Sequence, residues 1–314
     1  MIFTQEIIII TMLLTMFIFL LSGYPVAFTI SGVPLLFALF GYSINIFDLS
    51  YVSALPNRIY GIMTNDLLIS VPLFVFMGVM LQKSKIAEEL LESMAILMNN
   101  VRSGLTISVT LVGALLAAST GIVGATVVTM GLLSLPTMLK KGYSPSLASG
   151  TICAAGTLGQ IIPPSIVLIL LSDQISASYQ QAQLALGNFS PESVSVTDLF
   201  VGALLPGLVL VFLYIIWQII NSYLNPASIP EKKKIEKRND IFRLYMQVLK
   251  ALLPPLILII AVLGSILGGL ATPTESAGVG AIGAIILSFL KNQLSLKVMK
   301  EVVESTAKTT SMVF

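Results

Sequence analysis

Residues 151–173 read TICAAGTLGQIIPPSIVLILLSD, and this stretch decides the fold. Two glycines, Gly156 and Gly159, precede the adjacent prolines Pro163 and Pro164, and an apolar run follows. Glycine permits backbone angles that other residues avoid, and proline removes a backbone donor and interrupts the helical ladder. In a bilayer, backbone without its helical hydrogen bonds is stable only when it is buried in protein or lines a cavity. The stretch therefore predicts one wall of a buried site.

The composition indicates an all-α polytopic membrane protein. Of the 314 residues, 56% are hydrophobic and 10% are charged, and the mean hydropathy is +0.95. Soluble domains carry about 25% charged residues. A helical span needs about 20 apolar residues, so the chain has room for roughly eight to ten membrane segments. The net charge of +2 gives no reason to expect nucleic-acid binding.

The chain contains no histidine and one cysteine, Cys153. An intrachain disulfide and a His-dependent triad are therefore impossible, and thiol- or His-based metal sites are not expected. Cys153 is interpreted as a small packing residue. The apolar stretch 7–21 lacks a basic region before it and a small-residue cleavage site after it, so we interpret it as the first membrane helix and not as a signal peptide.

Residues 58–85 predict a re-entrant helical hairpin. Two apolar arms flank the polar tip Thr64-Asn65-Asp66, and the first arm is too short to cross the membrane. A polar tip supplies partners for helix ends at membrane depth. The alternative is an ordinary loop followed by a single span. The next segment, 86–99, has the spacing of an amphipathic helix that lies along the membrane interface.

Residues 103–139 are too long for one straight span and predict a broken helix. Their centre, residues 117–126, reads AASTGIVGAT, with hydroxyl side chains and two glycines. Half-helix ends and freed carbonyls suit a Na⁺ ion or an anionic group. The alternative is close helix packing through small residues.

Basic residues indicate the orientation of the chain. Lys140 and Lys141 form a short basic turn, and the loop 225–250 carries seven Lys and Arg residues. By the positive-inside rule both segments are cytoplasmic, whereas the polar segment 174–198, which has no Lys or Arg, faces the outer side. An apolar span at 199–223 connects the outer segment to the basic loop.

Residues 252–290 predict a second hairpin, with the polar tip ATPTES at residues 271–276. A shift of 208 residues aligns it with the first hairpin and reproduces the order of hairpin, amphipathic helix and Ser-led segment. The shift pairs identical residues: Gly61 with Gly269, Thr64 with Thr272, Lys83 with Lys291, and Ser103 with Ser311. Such inverted repeats are typical of secondary transporters.

The repeat predicts two parts of the chain. Residues 1–198 form the first repeat and residues 199–314 form a second one. The counterpart of Ser119 falls beyond residue 314, so the second repeat is expected to be truncated.

Four motifs resemble those of the large membrane subunit of TRAP transporters, the tripartite ATP-independent periplasmic transporters. They are GTLGQIIPPS (156–165), SVPLFVFMG (70–78), ATPTESAG (271–278) and LKKGYSPSLASG (139–150). The resemblance covers nearly the whole chain. The insertion at 174–198 is similar to that of the branch labelled mannitol/chloroaromatic. Family members have a full second repeat, so the chain is expected to be C-terminally incomplete.

The resemblance implies Na⁺-coupled uptake of an organic anion, typically a carboxylate, across the bacterial inner membrane. It implies an elevator motion of a transport domain against a scaffold. It also implies two partners, a small four-helix membrane subunit and a soluble periplasmic binding protein. A channel or another ion-coupled permease is the alternative. Neither an enzymatic activity nor a resident cofactor is expected.

The candidate site combines residues of the hairpin tips and the breaks, because Na⁺ takes hydroxyl, amide and carbonyl oxygens. Asp66 and Glu275 border the tips, and each is either a functional carboxylate or an N-terminal helix cap. The candidates for substrate binding are Gly156, Gln160, Pro163 and Ser165. The candidates for Na⁺ binding are Thr64, Asn65, Ser119, Thr120, Gly121, Gly124, Thr272 and Thr274.

Overall fold

The computed structural model describes residues 2–98, 101–191, 193–230 and 241–314. These residues form thirteen α-helices and no β-strand. The helices are α1 (Ile2–Leu21), α2 (Val26–Ser43), α3 (Leu55–Met63), α4 (Ser70–Lys83), α5 (Ile86–Leu97), α6 (Gly104–Thr120), α7 (Val123–Lys140), α8 (Pro145–Thr157), α9 (Ile166–Ala185), α10 (Val196–Leu224), α11 (Ile241–Leu267), α12 (Pro273–Leu290) and α13 (Leu296–Val313).

Five of the described helices are long and apolar enough to cross a membrane. They are α2, α7, α10, α12 and the Val248–Leu267 part of α11. The apolar part of α1, Glu6–Leu21, is shorter. These lengths confirm the expected class, a polytopic helical membrane protein.

The chain divides into two compact units. The first contains the residues up to Asn65 together with Ser311–Phe314, and the second contains Asp66–Thr310. In the first unit α1 packs against α2, and a 3-10 turn leads into α3. Asp48 caps this turn by accepting a hydrogen bond from the Ser50 N–H at 2.9 Å. The predicted hairpin tip falls at the division, since Thr64 and Asn65 belong to the first unit and Asp66 to the second.

In the second unit, α6 and α7 correct the prediction of one broken span over residues 103–139. Gly121 is left-handed, with a φ of +60°, and Ile122 is extended. These two residues reverse the chain, so α7 returns along α6 instead of continuing in the same direction. At the far end of α7, Tyr143 lies against the backbone of Leu105, and burial raises the pKa of its phenol.

Helix α8 packs against both α6 and α7 through small residues. A Cβ atom on Gly113 would lie 2.6 Å from the Ala155 Cβ, and one on Gly156 would lie 2.3 Å from the Val127 Cγ2. At the start of α8, the Ser144 N–H donates to the Ser228 carbonyl at 2.9 Å. The two segments predicted to be cytoplasmic therefore meet on one side of this unit.

The amphipathic prediction for residues 86–99 is confirmed for α5. Its apolar face, which includes Ile86, Leu90 and Leu91, is buried against α6 and α11, whereas Glu88 and Glu92 are exposed. The face that sequence analysis assigned to the membrane interface is thus covered by protein. Residues 99 and 100 lie outside the described residues.

The second predicted hairpin, 252–290, is longer than expected. Helix α11 begins at Ile241 and continues through Pro254 and Pro255 to Leu267, because its long apolar face packs against α12 and α5. Both arms, α11 and α12, are long and apolar enough to span a membrane.

The loop predicted at 225–250 is also shorter than expected. Its last ten residues belong to α11, and a 3-10 turn, Pro226–Ser228, follows α10. Residues 231–240, which include most of the predicted basic cluster, lie outside the described residues. The polar segment 174–198 is helical as far as Ala185 and forms the second half of α9.

One hydrogen bond joins the segment before α4 to α12 at the offset of the predicted repeat. The Thr274 hydroxyl donates to the Asp66 carbonyl at 2.8 Å, and the two residues are 208 positions apart. Lys83 pairs with Glu301 of α13 at 2.8 Å, and its counterpart Lys291 pairs with Glu89 of α5. The hydrogen bond from Lys83 holds the pKa of Glu301 below its ordinary value. The repeat itself stays a prediction.

Replacing Gly78 by alanine should separate α4 from α6. A Cβ atom at this position would lie 2.5 Å from the Thr120 Cα and 2.8 Å from the Ser119 carbonyl oxygen. We expect a loss of about 1–3 kcal/mol of stability, because backbone must move. Thermal unfolding of the purified protein in detergent measures it.

Gly131→Ala is the matched control, since a Cβ atom there meets nothing within 4 Å. An equal loss of stability in both variants would contradict the close approach of α4 to α6.

Candidate functional site

The candidate site lies where two interruptions of the chain meet. One is Gly121-Ile122, between α6 and α7. The other contains a 3-10 turn, Leu158–Gln160, and the cis Pro163-Pro164 peptide, between α8 and α9. A Cβ atom on Gly121 would lie 3.4 Å from the Ile166 N and 3.5 Å from the Pro164 carbonyl oxygen. The two interruptions are therefore in direct contact.

Gln160 connects the two interruptions by a hydrogen bond. Its Nε2 donates to the Gly121 carbonyl at 3.3 Å. Its Oε1 is buried and has no hydrogen-bond partner among the described residues. The side chain therefore holds the end of α6 with one atom and presents an amide oxygen with the other.

Ser165 determines how α9 begins. Its hydroxyl donates to the Gln160 carbonyl at 2.8 Å and accepts from the Leu168 N–H at 3.4 Å, so it is the N-cap of α9. Ser165 is fully buried, and Pro163 beside it is buried as well. This side chain fixes the direction of α9 relative to the Pro-Pro turn.

Three buried hydroxyl groups lie near the first interruption, two at the end of α6 and one on α7. Ser119 donates to the Leu116 carbonyl at 2.8 Å, and Thr120 shares a 2.7 Å hydrogen bond with Thr126 of α7. Each hydroxyl oxygen retains lone pairs that these bonds do not use. Thr126 is a functional candidate that sequence analysis did not select, although it belongs to the quoted stretch of small and hydroxyl residues.

The helix ends at this site carry opposite partial charges. The C-terminal end of α6 presents carbonyls that lack a helical donor, and this end favours a cation. The N-terminal ends of α7 and α9 present N–H groups, and these ends favour an anion. The contact thus brings together a helix end that favours a cation and helix ends that favour an anion.

The described residues contain no cluster of three or more His, Cys, Asp or Glu side chains that could hold a metal. The available donors at the interruptions are hydroxyl, carbonyl and amide oxygens. Such neutral oxygen donors suit a hard monovalent cation such as Na⁺ and offer nothing specific to a thiolate-binding metal.

Two predicted site residues lie outside this contact. Gly124 is exposed, and a Cβ atom there would meet nothing within 4 Å. Gly156 packs against the backbone of Val127. It lets α7 and α8 approach each other, which is a packing role.

The second hairpin tip uses its polar side chains locally. Thr272 and Glu275 form a capping box, in which the Glu275 carboxylate accepts from the Thr272 N–H at 2.8 Å and from the Thr272 hydroxyl at 2.9 Å. Of the two alternatives for Glu275, the structure therefore shows the helix cap. Thr274 donates to the Asp66 carbonyl.

The first hairpin tip belongs partly to the first unit. There the Thr64 hydroxyl donates to the Tyr60 carbonyl at 2.9 Å, and the Asn65 N–H donates to the Ile62 carbonyl at 3.3 Å. Both contacts end α3. The assignment of these two residues to a Na⁺ site stays a prediction.

The fold and the paired interruptions define a multi-pass helical membrane protein with a buried polar site between helix ends. Residues 13–314 match the family model described as "Tripartite ATP-independent periplasmic transporter, DctM component". The chain belongs to this family of transporter permeases, which are not enzymes. The resemblance seen in the four motifs is thereby confirmed, while the branch stays a prediction.

Several curated relatives are similar to the chain. The C4-dicarboxylate TRAP transporter large permease protein DctM of Rhodobacter capsulatus is 30% identical over 78% of the chain and 54% of its own length. The ectoine/5-hydroxyectoine TRAP transporter large permease protein UehC of Ruegeria pomeroyi is 26% identical over 97% of the chain and 65% of its own length. The chain thus spans roughly half to two thirds of the curated relatives it matches.

Replacing Ser165 by alanine should loosen the second interruption. The substitution removes the N-cap of α9 and the bond to the Gln160 carbonyl, and loss of a cap costs about 1 kcal/mol. Thermal unfolding in detergent measures the loss.

Ser149→Ala is the control, because the exposed Ser149 hydroxyl donates only to carbonyls of its own helix. If Ser165→Ala and Ser149→Ala unfolded at the same temperature, the capping role would be refuted.

Proposed function

We propose that the chain is the large membrane subunit of a secondary transporter that couples Na⁺ to the uptake of an organic anion of the carboxylate type. The observation that carries the proposal is the contact between Gly121 and the Pro164–Ile166 segment. This contact brings a helix C-terminus and helix N-termini together, so that a cation and an anion can neutralise each other at membrane depth.

In this proposal Na⁺ binds at the end of α6. The Ser119 and Thr120 hydroxyl oxygens, the carbonyls near Gly121 and the free Gln160 Oε1 supply the ligands. The oxygens are neutral, so the ion keeps its charge and can attract the substrate. Thr64, Asn65, Thr272 and Thr274 remain candidates for Na⁺ binding.

The anion binds beside the ion, at the N-terminal end of α9. Ser165 and the backbone N–H groups that follow it face a carboxylate, while the buried Pro163 excludes water from the same wall. The name of one relative specifies C4-dicarboxylates and that of another specifies ectoines.

The proposed transporter has further components and a moving part. A small four-helix membrane subunit and a periplasmic solute-binding protein complete it in the bacterial inner membrane. In the proposed elevator motion, the paired interruptions would move with the transport domain.

The test uses the complete permease with its partners in proteoliposomes. We expect saturable uptake of the matching solute that requires an inward Na⁺ gradient. Ser119→Ala and Gln160→Leu should each raise the Na⁺ concentration for half-maximal uptake by about tenfold, because each removes one oxygen ligand, a contact comparable to a hydrogen bond to a charged group.

Gln181→Leu is the control for Gln160→Leu, because it replaces the same side chain at an exposed position of α9. Uptake that persists without a Na⁺ gradient would refute the coupling, and non-saturable uptake would favour a channel. An unchanged Na⁺ requirement in both site variants would refute the site assignment.

A further inference from the structure

Helix α10 carries one continuous buried stripe, although most of its surface is exposed. The stripe advances by alternating steps of four and seven residues, which keeps it on one face of the helix. Its members are Val196, Phe200, Gly207, Val211, Gln218 and Ser222. Four are apolar or glycine, so Gln218 is the largest polar side chain on this face.

The middle of the stripe touches the second interruption. A Cβ atom on Gly207 would lie 3.0 Å from the Ile162 Cγ1 and 3.6 Å from the Ile162 Cα. Ile162 directly precedes the Pro163-Pro164 peptide. Four residues further along α10, Val211 belongs to the same apolar cluster as Ile162 and Ala117. Helix α10 therefore packs against the wall formed by the Pro-Pro turn.

About three turns beyond Gly207 on the same stripe, Gln218 holds α6 by two hydrogen bonds. Its side-chain Nε2 donates to the Thr110 hydroxyl at 2.5 Å, and its main-chain carbonyl accepts from the Ser103 hydroxyl at 3.1 Å. Thr110 lies about three turns before Gly121 on α6. The same helix thus contacts both walls of the candidate site, one by packing and the other by hydrogen bonds.

The side-chain amide of Gln218 is energetically costly to bury in a contact between helices. The residue is only 4% exposed, and its Oε1 has no hydrogen-bond partner in the described part of the chain. A leucine would fill the same volume without leaving a buried acceptor unmet. A buried polar atom without a partner calls for an explanation other than packing. Its two hydrogen bonds, one donated to Thr110 on α6 and one accepted from Ser103 at the start of α6, indicate a role in holding that helix.

We propose that Gln218 is a positioning residue for the site, and that it acts through its hydrogen bond to Thr110. Its hydrogen bonds fix the register of α6 against α10, while Gly207 fixes the Pro-Pro turn against the same helix. Helix α10 thereby keeps the two interruptions at the separation that places the Gln160 amide on Gly121. The inference rests on the proposed function only in that these two walls are taken as the transport site.

The register of the two walls can be measured without transport. A Cβ atom on Gly159 would lie 3.5 Å from the Ala117 Cβ, within the roughly 3.5–4.5 Å that a disulfide requires. We would introduce Ala117→Cys and Gly159→Cys into the complete permease after replacing its native cysteines, and follow disulfide formation in detergent under a mild oxidant.

Four variants of this background decide the question: Gln218→Leu, Thr110→Val, the double variant and the control Gln181→Leu. We expect Gln218→Leu and Thr110→Val each to slow disulfide formation by roughly five- to tenfold, as for the loss of one buried hydrogen bond. The double variant should be no slower than either single one, because both remove the same contact. Gln181→Leu should match the parent.

Equal rates in the parent, Gln218→Leu and Thr110→Val would overturn the inference, and so would additive effects in the double variant. Thr110→Val keeps the volume of the side chain. If Gln218→Leu does not fold, the disulfide rate of Thr110→Val alone tests the inference. Uptake without a Na⁺ gradient would refute the proposed function and leave the disulfide result unaffected. Unchanged disulfide rates with Na⁺-dependent uptake would refute only the positioning role.

Discussion

Backbone groups that lose their helical partners inside a membrane must find new ones, and this constraint shapes the second unit. The Gly121 carbonyl accepts a hydrogen bond from the Gln160 amide. The Ser165 hydroxyl donates to the Gln160 carbonyl and accepts from the Leu168 N–H. The Gln160 bond joins the two interruptions, and both Ser165 bonds act within the second one. Neither would be stable alone in hydrocarbon, so glycines such as Gly78, which bring neighbouring helices into backbone contact, are required by the same constraint.

Much of the fold could be predicted from local sequence, because glycine and proline mark where a helix must stop. The interruption at Gly121 falls inside the predicted stretch 117–126, and that at Pro163-Pro164 falls inside 156–165. What happens after an interruption could not be predicted. Whether α7 continues or turns back depends on the left-handed backbone of Gly121 and on packing between distant residues, such as Tyr143 against Leu105, which leave no local pattern.

The site was predictable by residue type and less so by role. Hydroxyl and amide side chains were selected for Na⁺ because Na⁺ needs oxygen, and Gln160 was selected for the substrate. The structure bonds Gln160 to the Gly121 carbonyl, which follows Ser119 and Thr120 in the chain. The same reasoning could not separate a ligand from a helix cap, since Thr272 offers the same hydroxyl to Glu275. Gln218 was missed, although an isolated amide in an apolar span is a visible signal.

Two ion pairs connect the first half of the chain to the second half. Lys83 depends on an acid more than two hundred residues later in the chain, and Lys291 depends on one about as far earlier. A chimaera that joins the first half of one relative to the second half of another inherits one partner of each pair from each parent. The four charged side chains are 28–49% exposed, so a mismatched junction leaves each charge hydrated and weakens the pairing only slightly.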